Sequence, residues 1–407
     1  MPLTEPLRLK ILWLFLAVSA IAAIEPSPYD AMFFVCIVAF ARGGLAFEPT
    51  LAPLIFTLFV FNAAGFVALI PYTDEPKSVS FTFITFYITM TTVLFATLTA
   101  ADPLARMKTI RSGYVFAAVI AAFLGVIGYF NVAGLSPYFT LYDGGRASGP
   151  FKDPNVFAPF LVAPIGWVAQ DIVLKRTPVW RSLPMLLIML LGVFLSFSRG
   201  ALIDTALTLA LLLSLTFATT RSGRLRRRIG TSAIVGLALF AALGAIVLSV
   251  PSVRELALER ATLTEDYDSG EQGRFGNQVR SIPMLLDRPL GFGPFRFAQY
   301  FPADPHEVFL SAFASFGWAG GIAFAVFVAL TLYVGFAFAF RRARTQTEFI
   351  GVFCAMLPQL LQGVQIDTLH WRHLFLLIGC LFGLAAAAQR ETSAATRLAK
   401  RNFAAVA

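Results

Sequence analysis

Apolar runs of membrane-crossing length follow one another from end to end of this sequence. They sit near 9 to 24, 30 to 42, 49 to 70, 79 to 101, 113 to 135 and 155 to 174, then near 182 to 197, 200 to 219, 230 to 250, 307 to 340, 349 to 364 and 373 to 389. A helix needs about 20 such residues to cross about 30 Å of hydrocarbon, and most of these runs reach that length or fall slightly short. With 57% apolar and 14% charged side chains and a mean hydropathy of +0.74, the chain lies far from soluble globular composition. The expectation is an all-α, polytopic membrane protein: a single membrane domain over 1–407 with about 12 transmembrane helices. The 307 to 340 run is too long for one straight crossing, and Gly317, Gly320 and Gly321 predict a short surface helix that turns into a span.

The net charge of +9 would suggest nucleic acid in a soluble protein, but here the sidedness of charge matters more than its sum, and no nucleic-acid partner is expected. A cytoplasmic N-terminus places twenty-one of the thirty-two Lys and Arg residues on the inner side, including the Arg221 to Arg228 and Arg341 to Arg344 clusters. That satisfies the positive-inside rule, with both termini cytoplasmic. Arg8 and Lys10 precede an uncleaved first span, since no small-residue cleavage site follows. Cys36, Cys354 and Cys380 all fall in apolar runs without metal-like spacing and read as packing residues. The forty-two Phe residues read as lipid and helix packing.

With that sidedness, the outer face receives a loop at 136–155, the Ser198-Arg199 turn, a large periplasmic loop at 251–306, and Gln365 to Arg372. Arg199 opens a span, where a cation opposes the helix dipole. A nearby anion would hold it there; a snorkelling interfacial arginine is the alternative. Asp204 is just over one turn deeper. Unpaired in lipid it would cost roughly 3 kcal/mol, so it should face the bundle interior and could orient Arg199. Arg146 lies in the glycine-rich stretch Asp143-Gly144-Gly145-Arg146, followed by Asp153-Pro154 as N-cap and first residue of the next span. Arg274 and Arg280, if helical, point to different faces. Gly291-Phe292-Gly293-Pro294 reads as a turn. Asp304, Pro305 and Glu307 predict a capping box that puts His306 in the first helical turn, where a neutral ring suits a general base. His370 and His373 read as interfacial anchors, and three dispersed histidines give no case for a metal.

Three of these stretches together resemble the O-antigen ligase and O-antigen polymerase superfamily. They are Ser196-Phe197-Ser198-Arg199-Gly200-Ala201-Leu202; Arg274 through Asp287-Arg288-Pro289-Leu290-Gly291-Phe292-Gly293; and His306-Glu307-Val308-Phe309-Leu310 followed by Gly317 and Gly320. The resemblance covers roughly 140–385. It implies an inner-membrane glycosyltransferase, without metal or other cofactor, that moves a glycan from an undecaprenyl-diphosphate carrier to a sugar hydroxyl on the periplasmic side. The acceptor would be lipid A-core or another glycan. By resemblance Arg199 and Arg274 bind the diphosphate and His306 activates the acceptor; Arg146, Arg280, Asp204 and Glu307 are the further candidates for contacts with the substrates. Two positions depart from the family: Glu307 stands where Asn is usual, which bears on acceptor contacts, and Gln278 stands where Trp is frequent, which bears on packing. The rival class is a transporter of an anionic substrate, which calls for charged or broken helices at the bilayer midplane. A scaffold protein would leave the outward arginines and His306 freely replaceable.

Overall fold

A computed structural model of the chain describes residues 3–142, 145–259, 273–302 and 304–406; Asp143, Gly144 and Arg260 lie outside them. The helices, in chain order, are α1 (Glu5–Ala17), α2 (Pro28–Ala41), α3 (Ala52–Leu69), α4 (Pro76–Ala101), α5 (Pro103–Tyr129), α6 (Ser136–Phe139), α7 (Pro154–Leu174) and α8 (Val179–Leu195). They continue as α9 (Arg199–Thr219), α10 (Gly223–Ser249), α11 (Pro251–Glu259), α12 (Arg274–Leu286), α13 (Val308–Ala339), α14 (Gln346–Gln362) and α15 (Arg372–Val406). Among the described residues there is no strand, only an isolated bridge between Thr140 and Ala147.

The protein is an all-α polytopic membrane protein. Among the described residues eight helices are long and apolar enough to cross a membrane: α3 with its flanking turns, α4, α5, α7, α9, α10, α13 and the Arg372–Ala394 part of α15. α2 and α8 are shorter apolar helices. Large apolar side chains such as Val38, Phe56, Ile234 and Leu237 are exposed, as lipid-facing residues should be.

Helix starts follow from local chemistry. The Asp102 carboxylate accepts from the Ala105 N–H at 3.3 Å, Asp153 accepts from Asn155 at 2.8 Å, and each is followed by a proline that fits the first helical turn. The first run ends earlier than expected. α1 stops at Ala17, and the Ala22 and Ala23 amides donate to the Pro150 carbonyl instead. α5 in turn begins at Pro103, ten residues before its apolar run, because carboxylate partners neutralise its buried arginines inside the helix. Arg106 pairs with Glu5 at 2.6 Å and lies over the Phe40 ring. Arg111 pairs with Asp171 at 2.7 Å and Glu348 at 2.5 Å, and donates to the Trp167 carbonyl.

The chain divides into two compact units. The first comprises Met1–Leu45, Ala101–Ala261 and Ala339–Pro358. Within it α1 packs on α5, α5 on α8, and α7 on α8 and α9. Arg111 ties α5, α7 and α14 together, and Leu212, Ile350 and Cys354 form an apolar cluster beside them. The second unit comprises Ala46–Ala100, Thr262–Phe338 and Gln359–Ala407. There α15 lies close against α4: a Cβ at Gly379 or Gly383 would meet the Thr92 or Ala96 carbonyl within 2.5 Å. The long α13 is interrupted, as its glycines predict, at Gly317, where φ is +68 and ψ −166.

Candidate active site

The candidate residues fall on both units: Arg146, Arg199 and Asp204 on the first, Arg274, Arg280, His306 and Glu307 on the second. Each group is built locally.

On the first unit, α8 and α9 join through the tight turn Ser196-Phe197-Ser198. Phe197 has φ +49, a left-handed conformation that costs a residue with a Cβ about 1–2 kcal/mol. Its neighbours hold it. The Ser196 hydroxyl donates to the Val193 carbonyl at 2.7 Å and accepts from the Ser198 N–H at 3.2 Å, and the Phe197 ring sits 6.1 Å from that of Tyr129. Arg146 completes the clamp: Nε donates to the Ser196 carbonyl and a terminal nitrogen to Asn155 Oδ1, both at 2.7 Å. The loop carrying Arg146 is fixed by Ala147 N–H donating to the Leu195 carbonyl, and by Gly149, where φ is +53 and a Cβ would lie 2.8 Å from the Ala121 carbonyl. Arg146 therefore braces the turn that presents Arg199, in addition to any part it takes in binding. Arg199 is the first residue of α9 and is exposed. Asp204 faces the interior as expected, only 3% exposed, and its Oδ2 has no hydrogen-bond partner.

On the second unit, Arg274 is the first residue of α12; its side chain lies outside what is described. Arg280 is exposed, donates to Asn277 Oδ1 at 2.7 Å and lies over the Phe301 ring. After α12 the chain turns sharply, as Gly291 and Gly293 predict. A Cβ at Gly291 would fall 2.5 Å from the Ala314 carbonyl, and one at Gly317 would fall 2.2 Å from the Pro289 carbonyl. Only two glycines allow the backbones to approach so closely, and the approach is sealed by Phe292 N–H to Ala314 O at 2.7 Å and Trp318 N–H to Pro289 O at 2.9 Å. Phe292, Phe297, Phe301 and Leu285 form the apolar base of this region, and Arg296 stacks on Tyr72 while pairing with Glu75.

The capping box predicted at Asp304 does not form. α13 starts at Val308, and the Glu307 carboxylate itself accepts from the Phe309 and Leu310 amides, at 2.9 and 2.6 Å. Pro305 precedes a residue with φ +48, His306, which no α-helical turn accommodates, so the helix is delayed past it. His306 thus stands exposed, just outside the helix. Burial raises the Glu307 pKa, against the two amide hydrogen bonds that lower it.

Two further residues belong to this neighbourhood, one given no role by the sequence and one a different role. Asp367, between α14 and α15, accepts from the Ser311 hydroxyl at 2.6 Å and the Leu369 N–H at 2.8 Å. Burial pushes its pKa up to about 6; the charges of Asp304 and Glu307 add to the rise and the two hydrogen bonds oppose it. Its signal in the sequence is that it is the lone acid between Glu348 and Glu391. Gln278, expected to affect packing alone, donates from Nε2 to the Pro305 carbonyl at 2.6 Å. Among the histidines, His370 bonds Thr85 Oγ1 at 2.8 Å, and His373 is buried against Trp371. Among the described residues no cluster of three or more His, Cys, Asp or Glu side chains is arranged to hold a metal ion.

Comparison with protein families matches residues 184–325 to the family described as O-antigen ligase. This region belongs to the O-antigen ligase family. It runs from α8 into α13, and so takes in Arg199, Asp204, Arg274, Arg280, His306 and Glu307, while Arg146 and Asp367 lie outside it. A comparison with curated proteins finds no match to the chain. The O-antigen ligase region points to an enzyme of the ligase and polymerase kind, one that transfers glycans at a membrane.

Proposed function

We propose that the chain transfers a glycan from an undecaprenyl-diphosphate carrier to a sugar hydroxyl on the periplasmic side of the inner membrane. The observation that carries this reading is that one family match, 184–325, contains all three residues singled out by their chemistry: Arg199, Arg274 and His306. As the glycosidic bond breaks, the departing diphosphate gains negative charge. Arginines offer bidentate donors to phosphate, so Arg199 and Arg274 stabilise that charge in the transition state. His306 takes the proton from the acceptor hydroxyl, whose oxygen attacks the anomeric carbon directly and inverts it. Twelve spans, with four shorter helices added to the eight of full length, keep both termini cytoplasmic.

The test is transfer by the full-length chain in nanodiscs from a carrier-linked oligosaccharide. His306→Ala should lower the rate by about 100-fold or more, the usual size of a general-base contribution. Arg199→Ala should lower it comparably, and transfer should survive EDTA. Unchanged transfer in His306→Ala would overturn the site. In cells, deletion that removes capped lipopolysaccharide but leaves carrier-linked polymer identifies a ligase; loss of the polymer itself identifies a polymerase.

A further inference from the structure

His306 holds a left-handed backbone, φ +48, that a residue with a side chain adopts only when its surroundings dictate it. Two hydrogen bonds bracket it. On one side the Pro305 carbonyl accepts from Gln278 Nε2 at 2.6 Å; on the other the Val308 N–H donates to the Gly363 carbonyl at 2.9 Å. The proline makes the first of these decisive. Its ring fixes φ, so the plane of the Pro305–His306 peptide is set by one remaining rotation, and the carbonyl held by Gln278 reports that rotation directly.

Gln278 is itself well anchored. Its backbone carbonyl accepts from the Ser281 hydroxyl at 2.8 Å, and its neighbour Asn277 is fully buried and accepts from Arg280, which lies over Phe301. α12 thus grips the segment leading to His306 at both ends, Phe301 and Pro305. Position 274 lies one turn before Gln278 on the same helix face, so one rigid element carries the diphosphate-binding position and the hold on the histidine.

We infer that Gln278 is a positioning residue for His306: it fixes the Pro305–His306 peptide and thereby aims the imidazole at the acceptor hydroxyl. This rests on His306 being the acceptor base. The experiment is steady-state transfer by the full chain in nanodiscs with a carrier-linked oligosaccharide donor. Gln278→Met keeps the shape and loses the donor; Gln278→Glu replaces it with a group that repels the carbonyl. Both should lower kcat about tenfold or more, since small misplacements of a reacting group cost up to about 100-fold, with donor KM unchanged within about twofold. Gln278→Lys, which restores an N–H at similar reach, should recover most of the rate. A merely structural role would instead lower the thermal midpoint and leave kcat per folded molecule unchanged. Should Gln278→Met fail to fold, Gln278→Asn, one methylene shorter, reads the same geometry, and full kcat in it overturns the inference. If His306→Ala is inactive while Gln278→Met keeps full kcat, only the positioning role falls; if His306→Ala stays active, the reading of His306 falls first.

Discussion

Asp367 carries a pH signature that can be worked out from its surroundings. An ordinary aspartate titrates near 3.8, and burial raises this one to about 6. Between those values the folded chain holds a proton that the unfolded chain has released, so stability falls as pH rises through the window and levels off above it. Glu307, also raised by burial, contributes with the same sign. Asp367→Asn should therefore reduce the slope of the thermal midpoint between about pH 4 and pH 6; an unchanged slope would refute the burial argument. Why the sequence disclosed Arg199 and Asp204 but not Asp367, the hold of Gln278 on Pro305 or the bracing part of Arg146 has a simple cause. The first two announce themselves by charge within an apolar run. The others act on partners 56, 27 and 50 residues away, Ser311, Pro305 and Ser196, and no local pattern encodes those pairings.

Helices were legible where hydropathy decides, and each of the twelve apolar runs overlaps one, the first only as far as Ala17. Boundaries went astray where ion pairs decide, as at α5, whose arginines enter the helix because Glu5, Asp171 and Glu348 neutralise them. Arg111 joins three helices from a site with its side chain only 9% exposed, so Arg111→Met leaves two carboxylates dependent on the half-buried Arg176. Breaking a buried pair from one side costs about 3–5 kcal/mol; the remaining arginine puts this case near about 3 kcal/mol, read as a lower thermal midpoint in detergent. The break in α13 gives a second test. Gly317 has a backbone conformation essentially reserved to glycine, and a Cβ there would meet the Pro289 carbonyl at 2.2 Å. Gly317→Ala should cost more than about 2 kcal/mol and pull the Pro289 to Gly293 turn away from α13. A variant of full stability would mean that the turn and the kink do not depend on each other.

At the scale of the whole molecule, everything proposed for the site depends on which side of the membrane the segment between α10 and α13 occupies. The charge distribution gives the expectation: five arginines crowd Arg221 to Arg228 at the start of α10, and cations within about 15–20 residues of a span end hold that end in the cytoplasm. The protein supplies a quiet background for testing it, because Cys36, Cys354 and Cys380 are all buried and poorly placed to react. Val279→Cys, on an exposed position of α12, should react with a membrane-impermeant maleimide in spheroplasts. Arg224→Cys, exposed at the start of α10, should react only after lysis. Among the described residues α10 is the one helix between the two positions that is long and apolar enough to cross a membrane, so the two labels should fall on opposite sides if it crosses the bilayer once. The reverse pattern would put His306, which follows Val279 before the next span begins, on the cytoplasmic side, away from a donor presented in the outer leaflet.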